Sequence, residues 1–193
     1  MRIFLAGASG VIGIRLVPLL VAAGHQVAGM TRSPANVDML RGLGAEPVRC
    51  NVYDLDMLRE AAVAFGPDAV MHQLTDLPDD VAEIPGYMPA NSRIRREGTR
   101  NLLAAARAAG APRFIAQSVA FPLPDDAGAA VEEHEAMVLD AGGVVIRYGQ
   151  FYGPGTFYET GKPSPPSIQI DDAARRTLPA LDAPSGVIVI EEE

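Results

Sequence analysis

The first thirteen residues constrain this chain most. Residues 3–6, Ile-Phe-Leu-Ala, read as a short buried strand. The strand runs straight into Gly7-Ala-Ser-Gly10-Val-Ile-Gly13, and a helical pattern follows to residue 23. Gly7 suits a tight turn off the strand. Gly10 lets a diphosphate approach the backbone with no Cβ in the way, and Gly13 lets the helix pack closely on the strand. The first N–H groups of that helix, at Val11 and Ile12, lack partners within it, so its dipole favours an anion there. A glycine-rich turn joining two core elements is the plainer alternative.

Strand and helix patterns alternate along the whole chain, which implies a parallel sheet with helices on both faces. After the first helix, which holds Pro18, come strand two (26–30), a helix from Pro34 to about residue 43, and strand three (47–50). Asp54 caps a third helix to residue 64, and residues 69–74 form strand four. Residues 75–89 carry Pro78, Pro85 and Pro89 among acidic residues and read as a long surface loop. A helix over 90–109, strand five (113–118), a helix over 131–141 and strand six (144–148) follow. Residues 149–167 read as irregular, a last helix is capped at Asp171-Asp172, and residues 187–190 form a final strand. The expectation is one α/β domain over 1–193, doubly wound, with 149–169 as a reduced substrate region.

Composition narrows the function. Net charge is −8, and Arg93-Ile-Arg-Arg96 is the one basic cluster, which argues against a nucleic-acid surface. No apolar stretch is long enough to span a membrane, and the N-terminus enters a fold motif directly, so no signal peptide is expected. The single cysteine, Cys50, fits a reducing, cytoplasmic setting, and no metal site is expected.

The spacing Gly-x-x-Gly-x-x-Gly resembles that of the short-chain dehydrogenase/reductase superfamily, in its extended, epimerase/dehydratase-like branch. Gly98-Thr-Arg-Asn-Leu-Leu103, strand five ending in Ser118, Arg147-Tyr-Gly-Gln-Phe-Tyr-Gly-Pro-Gly155 and Ile168-Gln-Ile-Asp-Asp-Ala-Ala174 carry the resemblance along nearly the whole chain. It implies a Rossmann-like fold and a nicotinamide dinucleotide beyond the carboxyl ends of the strands. Ser9 is then placed to donate to phosphate. After strand two, Thr31-Arg32-Ser33 offers a guanidinium between hydroxyls where an acidic residue would favour NAD, so NADP is expected, with NAD as the alternative. A solvated arginine is the simpler reading of Arg32. Asn51 and Val52 stand at the adenine, and Gln73, Leu74 and Thr75 beside the nicotinamide ribose. Tyr148 and Tyr152 are the substrate-side candidates. A small-molecule substrate is implied, and a homodimer that completes a shallow pocket is compatible with the short substrate region.

The resemblance fails at the catalytic helix. The superfamily's usual chemistry uses a Tyr and a Lys four residues apart on one helix face, where the lysine charge lowers the tyrosine pKa. The corresponding positions here are Ala127 and Val131. Tyr158-Glu-Thr-Gly-Lys162 has the spacing, but Gly161 and Pro163 disfavour a helix there, and it lies after strand six. Ser118 remains as a candidate contact to a substrate carbonyl, and His134 as an acid or base, or simply a surface residue on an acidic helix. His72 reads as a packed core residue. Two functions stay open: an oxidoreductase or epimerase-like enzyme of atypical kind, and a protein that senses NADP without turnover.

Overall fold

The computed structural model describes residues 1–78 and 80–192. Seven parallel strands form one sheet in the order β3-β2-β1-β4-β5-β6-β9. They are β1 (Arg2–Ala6), β2 (Gln26–Thr31), β3 (Glu46–Arg49), β4 (Ala69–His72), β5 (Arg113–Val119), β6 (Val144–Tyr148) and β9 (Gly186–Ile190). Outside it, β7 (Gln150–Tyr152) pairs with β8 (Ser167–Gln169), so the expected irregular stretch holds a small ribbon of its own.

Alternation along each strand feeds two cores. Ile3 and Leu5 of β1 face one side, with Leu16 and Leu20 of α1 (Gly13–Ala22) and Ala173 of α7 (Ile170–Thr177). Phe4 and Ala6 face the other, with Leu58 of α3 (Leu55–Phe65) and Leu102 of α5 (Thr99–Ala108). Both faces are covered, which is why the strands read as continuous apolar runs. The shorter α2 (Val37–Gly42) follows a 3₁₀ turn at Pro34–Asn36. Asp54 caps α3 as expected, its Oδ1 accepting from the N–H of Met57 at 3.1 Å.

Three boundaries differ from the sequence reading. The stretch 75–89 is a loop only at its start; Val81–Glu83 is a 3₁₀ turn and α4 spans Ile84–Arg93. Pro85 lies in the first helical turn, where its missing N–H costs nothing, and Asp80 caps the turn before it. Residue 79 of that loop lies outside the described residues. The helix expected over 90–109 is interrupted by a π-helical turn, Ile94–Gly98, between α4 and α5. The fifth-strand helix, α6 (Asp125–Asp140), starts six residues before the expected 131. A Cβ on Gly128 would stand 2.5 Å from the Leu123 carbonyl, so glycine is what lets the first turn pack on the preceding loop. No described helix is long and apolar enough to cross a membrane.

Candidate active site

Strand order reverses direction at β1 and β4, and a crevice opens beyond their carboxyl ends. Gly7 follows β1 with φ +91°, and the N–H of Gln73 after β4 donates to the Ala6 carbonyl at 2.8 Å. A Cβ on Gly7 would come within 2.6 Å of the Gln73 carbonyl group. A Cβ on Gly13 would come within 2.1 Å of the Gly7 oxygen. Two of the three glycines are therefore required by packing, one at the turn and one at the helix. Gly10 is different: a Cβ there meets only the Gly7 oxygen, at 3.4 Å, so the surface it leaves bare is open space. Among the described residues the N–H groups of Val11 and Ile12 have no acceptor, and they stand at the mouth of α1.

The cleft in front of this turn encloses about 270 Å³. Gly7, Ser9 and Gly10 line it, with Thr31 at the end of β2 and Arg32 and Ser33 after it. Asn51 and Val52 after β3, and Gln73, Leu74 and Thr75 after β4, close the other walls. Val11, Ile12 and Gly13 do not wall the cleft; they carry the turn from Gly10 into α1 at its edge. The sequence reading missed Asn36, Tyr53 and Ile94, which also line it. Tyr53 could have been suspected from its place beside Asn51 and Val52; Ile94 is turned in by the π-helical segment, which the sequence does not announce.

Local hydrogen bonds hold these walls. Thr31 Oγ1 accepts from Ser9 Oγ and from the Ser33 N–H, both at 3.2 Å. Asn51 Oδ1 accepts from the Tyr53 N–H, and Asn101 of α5 donates to the Val52 carbonyl at 2.9 Å. Gln117 donates to the Leu74 carbonyl at 3.0 Å. Burial, with Asp54 nearby, pushes the Cys50 thiol up to about 11, so it is neutral at the floor of the cleft. Arg32 does not stand alone: its Nη2 donates to Asp76 Oδ1 at 3.0 Å.

Two side chains of the cleft keep polar atoms in reserve. Neither amide atom of Gln73, only 4% exposed, has a partner within 3.5 Å in hydrogen-bonding geometry, although the amide is near enough to act on the Tyr148 phenol, and the buried Tyr53 hydroxyl has no partner either. Buried polar atoms without partners are costly and mark places where a ligand or water completes the bonding. A glycine cradle, two free N–H groups and these two side chains fit the phosphates, base and ribose of a dinucleotide.

The catalytic and substrate candidates lie elsewhere. Ser118 shares its face of β5 with Phe114 and Ala116, under α6, and is 1% exposed. Its Oγ donates to Glu135 Oε1 at 2.5 Å, and Glu135 also receives Arg147 Nε at 2.9 Å and Nη2 at 2.5 Å. It is a buried bridge, closed to a substrate carbonyl. His134 is buried rather than on the surface, because α6 turns that face toward α5 and β5. Its Nε2 meets the Gln117 carbonyl at 2.9 Å and its Nδ1 the Thr99 hydroxyl at 2.7 Å. Burial and the nearby Arg95 charge lower its pKa to about 4, which keeps it neutral and unfit as an acid at pH 7. His72 is a buried core residue, as read, with Nε2 at 3.1 Å from Thr99 Oγ1. Tyr148 is a core residue too, its hydroxyl 2.6 Å from Thr177 Oγ1. Tyr152 donates to Glu192 at 2.6 Å instead of facing the cleft. Tyr158 and Lys162 share no helix; Lys162 pairs with Glu192 at 2.5 Å.

Fold and site together define a doubly wound α/β protein with an open cleft at its switch point. A family model described as NAD(P)H-binding matches residues 7–143, and the chain belongs to that family. A 3-diazoavenalumate denitrifying reductase from a Streptomyces species is 40% identical over 183 residues, covering 82% of this chain and 59% of that protein. A 3-beta-hydroxysteroid dehydrogenase from Mycolicibacterium neoaurum is 30% identical over 118 residues, 59% of this chain and 31% of that protein. The chain thus spans three fifths or less of the length of these relatives. Among solved structures, the UDP-glucose 4-epimerase of Thermotoga maritima shares the fold with a TM-score of 0.81 at 19% identity, over 99% of this chain and 77% of that one. The Thermus thermophilus UDP-glucose 4-epimerase, solved with NAD, gives 0.79 at 20%, over 99% and 78%.

Proposed function

We propose that this chain is an NAD(P)H-dependent reductase acting on a small electrophile that accepts hydride without a proton from the protein. The observation that carries this is the make-up of α6. Its sixteen residues contain neither Tyr nor Lys, and its two polar groups turned toward β5, His134 and Glu135, are both spent on internal partners. The nicotinamide, when bound, supplies a hydride. What this chain supplies is position: the Gly7–Gly10 turn for the diphosphate, Asn51 and Tyr53 for the base, Gln73 for an amide or ribose hydroxyl, and Arg32 for a 2′-phosphate.

The reductase relative narrows the substrate class. Its name records removal of nitrogen from a diazo compound. Replacing an arenediazonium group by hydrogen consumes one hydride, releases N₂ and takes up no proton. A site without a general acid suits that reaction, whereas reducing a ketone requires a proton on oxygen. The test follows NADPH oxidation against an arenediazonium carboxylate, a ketone, a quinone and a sugar nucleotide, with N₂ release measured in parallel. Turnover of the diazonium with matching N₂, abolished in Gly10→Asp, is expected. Ketone turnover with a bell-shaped pH profile and none with the diazonium would contradict the proposal.

A further inference from the structure

Arg32 and Asp76 face each other across the mouth of the cleft. Arg32 follows β2 and lines the cleft, and Asp76 lies in the loop after β4, forty-four residues on. The two differ in freedom. The Asp76 side chain is 17% exposed and that of Arg32 65%. The backbone N–H of Asp76 donates at 3.1 Å to Oδ1 of Asn91, a buried residue of α4. The acid is anchored and the arginine is the exposed member.

The second arginine at this mouth is also matched. Arg93 lies over the Tyr53 ring, 4.0 Å from its centroid, and its Nε donates to Glu97 Oε2 at 2.7 Å. Asp76, Arg93, Glu97 and Arg32 are all close enough to act electrostatically on the Tyr53 phenol. Two positive and two negative side chains therefore act on one phenol, and these four charges balance.

A phosphate monoester brings a charge of about −1.5 to −2 at neutral pH. To settle on Arg32 it must take that guanidinium from Asp76, and then sit within Coulombic reach of the released carboxylate. A ribose hydroxyl meets no such opposition. We propose that Asp76 sets the cofactor preference of this cleft: by holding Arg32 it weakens binding of the 2′-phosphorylated dinucleotide and leaves the unphosphorylated one untouched. This rests on the proposed cofactor site and goes beyond it by naming a residue outside the cleft wall as the determinant of selectivity.

The experiment is calorimetric titration of NADPH and NADH into the unmodified protein, Asp76→Asn, Arg32→Ala and the double variant, at one ionic strength. Asn keeps the size of the side chain and removes its charge. Asp76→Asn should tighten NADPH by about three- to ten-fold, the range an exposed ion pair and its neighbouring charge can deliver, and leave NADH within about two-fold. In the Arg32→Ala background the same change should move NADPH by less than about two-fold, since the residue then has no guanidinium to hold. Asp76→Ser should repeat the single-variant shift. Equal tightening of both cofactors, or an undiminished effect without Arg32, overturns the inference while the cofactor site stands. Binding of neither cofactor to the unmodified protein removes the site and the inference together.

Discussion

The Thr99 hydroxyl lies 2.7 Å from Nδ1 of His134 and joins two histidines into one directed chain of hydrogen bonds. The Leu74 N–H donates to His72 Nδ1 at 3.2 Å, so the His72 proton is on Nε2, which donates to Thr99 Oγ1 at 3.1 Å. The Gln117 carbonyl can only accept, so the His134 proton is on its Nε2 as well, and Thr99 donates to the remaining Nδ1. Each atom in this relay then has one role. The chain runs from the cleft wall at Leu74, through α5 and α6, to β5, and it needs both histidines neutral.

Protonating either ring breaks that order. Burial, then the neighbouring His134 and Arg95, lowers the His72 pKa well below its ordinary 6.5, and burial and Arg95 lower that of His134 to about 4. A histidine with a depressed folded pKa binds its proton more readily when unfolded. Its stabilisation is complete above about pH 6.5 and declines as pH falls toward 4. His134 alone accounts for roughly 3 kcal/mol across that window. Of the protons taken up on unfolding near pH 5, the two histidines should contribute about two, and His134→Gln should lower the uptake by about one. Denaturant midpoints measured from pH 7.5 to 4 read the slope directly. A flat profile would show that the rings are not held neutral.

Ser118→Ala removes one donor from Glu135 and leaves both bonds from Arg147. The expected cost is about 1 kcal/mol of stability, with kcat within about three-fold of the unmodified protein. Chemical denaturation paired with steady-state rates tests this. A fall in kcat of about a hundred-fold at unchanged stability would return Ser118 to the reaction.

Lys162→Ala separates the Tyr-x-x-x-Lys spacing from any catalytic role. The lysine holds Glu192, whose carboxyl it lowers, together with Tyr152, to about 2. Its loss should free the loop around residue 160, raise protease sensitivity there, and leave turnover within about three-fold, since an exposed pair contributes little. Lost turnover with cofactor affinity preserved would make Tyr158 and Lys162 the catalytic pair.

What could be read from the sequence was local. A strand, a glycine turn and a helix start sit within thirteen consecutive residues, and the other walls of the cleft follow from strand ends. Partners distant in sequence were not legible: nothing near Arg32 points to Asp76, and nothing near His134 points to Thr99. Ser118 is a different case. Alternation along β5 puts it on the face of Phe114 and Ala116, which is enough to bury it under a helix. The helix α4 was hidden by its three-proline neighbourhood, although Pro85 occupies a position where proline favours a helix start.

The Gly7–Gly10 turn is the proposed seat of a nicotinamide dinucleotide, and Gly10 tests it with least ambiguity. A Cβ there meets no neighbour closer than 3.4 Å, whereas one at Gly7 or Gly13 collides with backbone. Gly10→Asp should therefore melt within a few degrees of the unmodified protein, yet place bulk and negative charge where the diphosphate approaches. Calorimetric titration with NADPH should show one site in the unmodified protein and at least about a hundred-fold weaker binding in Gly10→Asp, the loss expected for displacing charge-assisted phosphate contacts. Equal affinity in the two proteins, both folded, would contradict the assignment.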